Sequence, residues 1–186
     1  MIEYLKNKKS DLKILDVGCG NGWLSNKLSV IKNCEVFSVD LNFEELKQAA
    51  FVFNDMKNIH FIYGDLNSII QTGLKFDIIL FAAAIQYFQS LYGVLNKAIF
   101  TLSDNSEIHI IDSYLYKSSQ MVAAKERSKK YFETIGFPEM KNYYFHHKFD
   151  DLRTFRFEIL FNPSSLKNYF FSKNDPFYWI KVFKNR

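Results

Sequence analysis

The stretch Ile14-Leu15-Asp16-Val17-Gly18-Cys19-Gly20-Asn21-Gly22-Trp23 decides the fold. Its opening apolar run reads as a buried strand, and three glycines at alternating positions then break it. A turn made of Gly18, Gly20 and Gly22 carries few Cβ atoms, so its backbone can lie directly against a ligand. From Leu24 to Ile31 the spacing becomes helical, with Leu24, Leu28 and Ile31 on one face. A strand, a bare turn and a helix N-terminus in that order build a nucleotide-binding crevice.

Four further signals follow. Glu35-Val36-Phe37-Ser38-Val39-Asp40 is a second apolar strand that ends in an acid. A carboxylate at such a tip can accept hydrogen bonds from both hydroxyls of a ribose. Ile59 to Tyr63 is a third strand, closed by Gly64-Asp65-Leu66; Phe76-Asp77-Ile78-Ile79-Leu80-Phe81-Ala82 is a fourth; Glu107 to Ser113 is a fifth. Asp40 also reads as a cap for a helix from Phe43 to Asn54, and Asp65 as a cap for the helix after it. The glycine wording is Asp-x-Gly-x-Gly-x-Gly, not the Gly-x-Gly-x-x-Gly of dinucleotide dehydrogenases. Together with the order of the later strand ends, it resembles the class I S-adenosylmethionine-dependent methyltransferases of small-molecule type.

That resemblance implies an α/β, Rossmann-like three-layer sandwich with a mostly parallel seven-stranded sheet and a C-terminal antiparallel hairpin. It implies S-adenosyl-L-methionine as cofactor. Gly18, Cys19, Gly20 and Gly22 would approach its methionine portion, and Asp16 would orient the turn or the amino group. Asp40 would hold the ribose with Leu41 near the adenine, Asp65 and Leu66 would read the adenine edge, and Ala82 would lie beneath the cofactor.

The chain has 186 residues, enough for one domain with a substantial core. Cys19 and Cys34 form neither a disulfide framework nor a zinc site by spacing, so no metal is expected. No apolar run approaches the length of a membrane span and no signal peptide precedes the first strand, which points to a cytoplasmic protein without a membrane partner. The net charge of +4 is mild, but all of the excess lies between Tyr114 and Lys148; the rest of the chain is balanced. With no recognisable RNA-binding module, nucleic acid is not the expected partner. A small metabolite or a sugar is, and the basic segment favours an anion.

Strands and helices alternate from Lys13 to Ser113, which argues for a parallel sheet covered on both faces. Leu46, Ala49, Ala50 and Phe53 are expected to point inward from one helix, and Leu91, Leu95, Ala98 and Ile99 from another over Leu91–Leu102. The pattern changes after Ser113. Residues Ser118 to Ile135 read as a helix with Met121, Val122, Ala124 and Tyr131 inward, stopped by Gly136-Phe137-Pro138. Tyr143 to His147 reads as extended, and Asp150 or Asp151 as the cap of one short helical turn. Phe155 to Phe161 alternates as a half-buried strand. A turn at Asn162-Pro163-Ser164, a short helix and a last strand from Tyr178 to Phe183, introduced by Asp175-Pro176, complete the chain. Residues 114–148 are therefore an insertion within a single domain spanning 1–186. They are expected over the carboxyl ends of the strands as a substrate lid, since the long N-terminal cover found in many resembling enzymes is nearly absent.

Methyl transfer from a sulfonium asks the protein chiefly to align the nucleophile and to take a proton where one is released. Phe81-Ala82-Ala83-Ala84 offers no acceptor for an amine, and no Pro-Cys dipeptide supplies a thiolate, so oxygen is the expected acceptor atom. His146 and His147 are the candidate bases. Gln86, Tyr87 and Arg127 are candidate substrate contacts. Two other functions stay open on the sequence: a non-catalytic module that binds S-adenosylmethionine, and an RNA methyltransferase.

Overall fold

In a computed structural model describing residues 1–8, 11–163, 165 and 176–184, the strand β1 (Leu12–Val17) is paired on both sides. Parallel neighbours β2 (Cys34–Asp40) and β4 (Phe76–Ala82) flank it. This is why its apolar residues run almost without interruption: both faces are covered. Beyond β2 lies β3 (Ile59–Tyr63), and beyond β4 lies β5 (Leu102–Ser113). Two antiparallel strands, β9 (Tyr178–Phe183) and β8 (Phe157–Phe161), close the other edge. The order β3-β2-β1-β4-β5-β9-β8 is the expected mostly parallel seven-stranded sheet with its antiparallel hairpin. Connections diverge to opposite sides between β1 and β4, and the carboxyl ends of the two strands frame the crevice there.

Two apolar layers hold the sheet. One face sets Leu12, Ile14, Val36, Ile78 and Leu80 against Leu5 of α1 (Ile2–Lys6) and Leu28 of α2 (Trp23–Ser29). The other sets Leu15, Val17, Ile79 and Phe81 against Leu66 and Ile69 of α4 (Leu66–Thr72) and Leu91, Val94, Leu95 and Ala98 of α5 (Leu91–Phe100). The helix α1 also covers a buried polar cluster: Trp179 Nε1 donates to His109 Nδ1 at 2.9 Å, and His109 Nε2 donates to Glu107 at 2.9 Å. Lys8 reaches the same carboxylate at 3.0 Å, and the Tyr4 ring packs edge-on to both His109 and Trp179.

Several expected positions are corrected. On α3 (Phe43–Val52) only Leu46 and Ala49 are buried; Ala50 faces outward and Phe53 lies just past the helix, partly covered. The strand β5 starts at Leu102, five residues before the expected Glu107, through Ser103-Asp104-Asn105 and a register irregularity against β4. Phe157 and Ile159 of β8 are exposed because β8 is the sheet's edge. In the insertion, Ser118–Gln120 is a 3-10 turn, and α6 (Met121–Thr134) buries Ala124 and Phe132. Val122 is 83% exposed and Tyr131 60%, because the inward face runs through Ala124, Ser128 and Phe132 at four-residue steps. Gly136, at φ +82°, ends the helix as expected. Both ends of the insertion are pinned by a small parallel ladder, β6 (Leu115–Tyr116) on β7 (His147–Lys148). Asp151 then accepts the Lys148 amide at 2.8 Å and caps the short turn Phe149–Leu152. Ser164, the short helix after it and Asp175 lie outside the described residues. Among the described residues no helix is long and apolar enough to cross a membrane.

Candidate functional site

The turn after β1 is held by β2. The Gly18 and Cys19 amides donate to the Val39 carbonyl at 2.9 and 3.3 Å, and the Gly20 amide donates to Asp40 Oδ2 at 2.8 Å. The other Asp40 oxygen, Oδ1, accepts the Asn42 amide at 2.8 Å. Helix α3 is capped by the Asn42 side chain, which accepts from the Glu45 amide, so capping does not use Asp40. Each Asp40 oxygen is thereby aimed by one backbone N–H and retains acceptor capacity for a hydroxyl. Asp65 behaves differently. It caps α4 with Oδ1 on the Ser68 amide at 3.0 Å, and Oδ2 accepts from Asn67 at 2.6 Å. These hydrogen bonds, led by the Ser68 amide, hold its carboxyl below the ordinary range. Leu66, at the first position of α4, is buried in the core, so only its backbone can face the crevice.

Gly20 and Gly22 serve different needs. A Cβ on Gly20 would meet Glu45 Oε2 at 2.7 Å, whereas one on Gly22 would meet the Phe61 ring at 2.7 Å and Ala49 Cβ at 3.0 Å. The first looks onto a carboxylate at the crevice, the second into packed core. Glu45 borders the turn and was not singled out in the sequence; its signal is its place in the first turn of the helix that follows Asp40.

The electrostatics of this end are acidic. Asp16 is 1% exposed, and burial pushes its carboxyl up to about 6 against the opposing hydrogen bond from Ser25 Oγ at 2.7 Å, with Asp40 adding to the rise. Burial and the carboxylates of Asp16, Asp40 and Glu45 drive the Cys19 thiol upward, which keeps it protonated and no nucleophile. Among the described residues none of the three carboxylates has a lysine or arginine at ion-pair distance. A bare turn ringed by uncompensated carboxylates suits a ligand that is cationic at this end and carries hydroxyls at the next strand tip.

The loop after β4 separates this acidic end from a basic one. Ala82 is half-buried, and Ala83 has φ +50°, beside Asp112 at φ +51° on the neighbouring strand; such left-handed residues concentrate at ligand sites. Gln86 clasps the loop, donating from its amide to the Ala83 carbonyl and accepting from Ser113 Oγ at 3.2 Å. Its own carbonyl accepts the Phe145 amide at 2.7 Å, which joins the insertion to the loop. Tyr87 is exposed and packs edge-on to Tyr144 at 6.0 Å.

His147 is 4% exposed and donates from Nε2 to the Ile85 carbonyl at 3.0 Å; burial lowers its pKa. It is a strut between insertion and loop. His146 is half-buried and shares a 2.9 Å hydrogen bond with Ser128 Oγ; burial first, then the nearby Lys125 charge, lowers its pKa. The Arg127 charge lies near the Tyr116 hydroxyl, whose pKa burial raises against it. Two cavities border this loop. One of about 260 Å³ lies beside Asp65, Leu66, Phe88 and Gln89. The other, about 630 Å³, lies between α6 and residues 141–146, and Gln89 borders both.

Known proteins share this architecture. A malonyl-[acyl-carrier protein] O-methyltransferase from Halalkalibacterium halodurans is 29% identical over 96 residues, covering 47% of this chain and 35% of the relative. The chain thus matches about a third of that relative's length. The crystal structure of the YcgJ protein from Bacillus subtilis superposes with a TM-score of 0.72 at 13% identity, covering 100% of this chain and 98% of that one. The plantazolicin methyltransferase BpumL, solved with a desmethylPZN analogue and SAH, gives 0.67 at 18% identity, covering 100% and 80%. At these identities the two structures show the fold. The profile of the methyltransferase domain family matches residues 8–173, nearly the whole chain. The chain belongs to that family, in its class I, S-adenosylmethionine-dependent branch.

Proposed function

We propose that this chain transfers a methyl group from S-adenosylmethionine to an oxygen atom of a small anionic molecule, with residues 114–148 as the substrate lid. The observation that carries the reading is the division of charge around the loop 83–89. An acidic, bare-backbone crevice lies on one side, and a basic, aromatic-walled cavity lies on the other.

On the cofactor side the residues fit the group the family uses. S-adenosylmethionine supplies a methyl carbon on a cationic sulfur together with an ammonium, and the carboxylates of Asp16, Asp40 and Glu45 complement that charge. Asp40, aimed by two backbone amides, takes the ribose hydroxyls. Gly18, Cys19, Gly20 and Gly22 line the methionine portion, and Asp16 orients its ammonium. Leu41, exposed beside Asp40, packs on the adenine; Asp65 shares Oδ2 between Asn67 and the adenine amine, and the Leu66 amide meets the ring. Ala82 lies beneath.

On the acceptor side, Phe81 to Ala84 present no side chain that accepts from an amine, which favours oxygen, and the Halalkalibacterium relative is named an O-methyltransferase. His147 is committed to the Ile85 carbonyl, which leaves His146, bonded to Ser128, as the candidate to take a proton from a hydroxyl. A carboxylate acceptor would need no base at all. Arg127 and Tyr87 border the acceptor, while Gln86 shapes the loop between the chambers.

The test is transfer of a labelled methyl group from S-adenosylmethionine into acidic and neutral metabolite pools and into RNA, beside calorimetry of cofactor binding. Label in a small acid, lost on treatment that cleaves methyl esters or ethers, is the expected result. Cofactor affinity with no transfer into any pool would mean a binding module, and label in RNA would mean a different acceptor class.

A further inference from the structure

The cavity between α6 and residues 141–146 has walls of two kinds. Lys125, Lys129 and Lys141 border it, and among the described residues none of the three is in an ion pair. Glu126 is the one acid among its lining residues. Tyr144 and Phe145 supply flat apolar surface, and behind them rings are packed in series: Tyr144 on His146 at 5.3 Å, His146 on Tyr116 at 5.4 Å, and Phe132 on Tyr144 at 5.6 Å. Ser128 and His146 add a hydrogen-bonded polar pair on the same wall.

We infer that this cavity seats an oxyanion, carboxylate or phosphate, carried on an aromatic or similarly flat apolar body, and that this is the anchoring end of the methyl acceptor. The second half of that statement rests on the function proposed above. At about 630 Å³ the space is of the size that holds a small organic ligand and far exceeds a bare ion. Three unpaired ammonium groups beside aromatic faces form a site in which an anion is attracted and a ring stacks at once. The cavity also adjoins the loop after β4. Gln89 borders both it and the chamber beside Asp65 and Leu66, the Phe145 amide is bonded to the Gln86 carbonyl, and Tyr144 touches Tyr87. An anion held here therefore leaves the rest of its molecule to reach the loop above β4. A nucleic acid strand is the less apt occupant, since the aromatic surface lies inside a cleft with a few cations, not along an extended basic track.

Calorimetry with phenyl phosphate, benzoate and phenol on the full chain tests the inference. Both anions should bind at least about tenfold more tightly than phenol, roughly 1.4 kcal/mol. In the double variant Lys125→Gln/Lys129→Gln that advantage should vanish while phenol affinity is unchanged. The stronger of the two anions names the source, a phosphorylated acceptor or a carboxylic acid. Anions no tighter than phenol, or a double variant that keeps the preference, would overturn the site. So would a single-stranded oligonucleotide that binds more tightly than phenyl phosphate and displaces it. S-adenosylmethionine affinity measured on the same samples reports on the methyltransferase reading separately. Its loss with anion binding intact would sink the function and leave the cavity an anion site. Intact cofactor binding with no anion preference would do the reverse.

Discussion

The glycine turn and the insertion face each other across one loop and are built on opposite plans. Around Gly18 to Gly22 the positioning groups are backbone amides and carbonyls, the charge is negative, and contacts join strands adjacent in the sheet. In residues 114–148 the groups that line the cavity are side chains, the charge is positive, and the contacts that hold the segment in place join residues far apart in sequence, such as His147 to Ile85 and Phe145 to Gln86. Backbone geometry tolerates little substitution, which suits a ligand common to a whole family. A wall of side chains can be rewritten residue by residue, which suits an acceptor particular to one enzyme.

The hardest test of the first plan is Gly22→Ala. A left-handed backbone at φ +74° costs an alanine about 1–2 kcal/mol, and crowding into the Phe61 ring and Ala49 adds roughly 1–3 kcal/mol, so stability should fall by roughly 2–5 kcal/mol. Gly20→Ala meets only the movable end of Glu45 and should cost about 1–2 kcal/mol while sharply weakening cofactor binding. Urea unfolding compares the two. Equal losses would mean that the turn does not divide into a core-facing and a ligand-facing half.

Asp16 gives the turn a pH signature. Its carboxyl is raised from 3.8 to about 6 by burial, so the folded chain keeps a proton that the unfolded chain releases in that window. Stability from this group therefore falls as pH rises from about 4 to 6 and is flat above, by on the order of 3 kcal/mol at about 1.4 kcal/mol per unit. Asp16→Asn should abolish the slope. Glu107 acts with the opposite sign and mostly at lower pH: burial would raise it, but hydrogen bonds from His109 and Lys8 outweigh that and hold it at about 2. Its stabilisation is present above 4.5 and lost as pH falls toward 2. A stability profile that keeps its slope between pH 4 and 6 in Asp16→Asn would assign that slope elsewhere.

Asp40→Ala should weaken S-adenosylmethionine binding by roughly 1.5–3 kcal/mol, the range for hydrogen bonds to a charged group. The variant should remain folded, because Asn42 and not Asp40 caps α3. Unchanged affinity by calorimetry would remove Asp40 from the ribose site and with it the clearest link between the turn and a nucleoside.

What the sequence made legible follows the same division. Strand periodicity, the glycine turn and the acid at the tip of β2 are local patterns, and the sheet order follows from them once the family's wording is noticed. The resemblance also carried the closing hairpin. Asp65 was legible only as two alternatives, and its bonds to Ser68 and Asn67 show that it caps α4 whatever else it binds. In the insertion, helical spacing alone was ambiguous: Met121, Val122, Ala124 and Tyr131 made an apolar stripe, yet the buried stripe passes through the polar Ser128 because His146 meets it there. Two adjacent histidines looked equivalent until the Ile85 carbonyl distinguished them. The early start of β5 was hidden by Ser103-Asp104-Asn105, with Asn105 at φ +57°, which reads as a turn and is carried into the ladder by its neighbours.

The smallest expected effect is the sharpest test of the contrast. Among the described residues, apart from its own two-residue ladder, the insertion is hydrogen-bonded to the β4 loop by the Phe145 amide on Gln86 and the His147 ring on Ile85, with Tyr144 packed on Tyr87 beside them. So few bonds predict that it opens as a unit at a lower free energy than the core sheet, where local and global opening coincide. His147→Ala removes one bond, and the buried Ile85 carbonyl keeps the Phe88 amide as a partner at 3.1 Å, so the opening free energy should drop by about 1 kcal/mol, the net worth of a typical hydrogen bond. Hydrogen exchange at the Phe145 amide reads this directly, with exchange at Ile79 in the core of β4 as the control. Faster exchange at Phe145 alone is the expected outcome, together with cofactor affinity close to that of the unaltered chain. Equal acceleration at both amides would show that insertion and sheet unfold together. The insertion would then be part of the core and no lid.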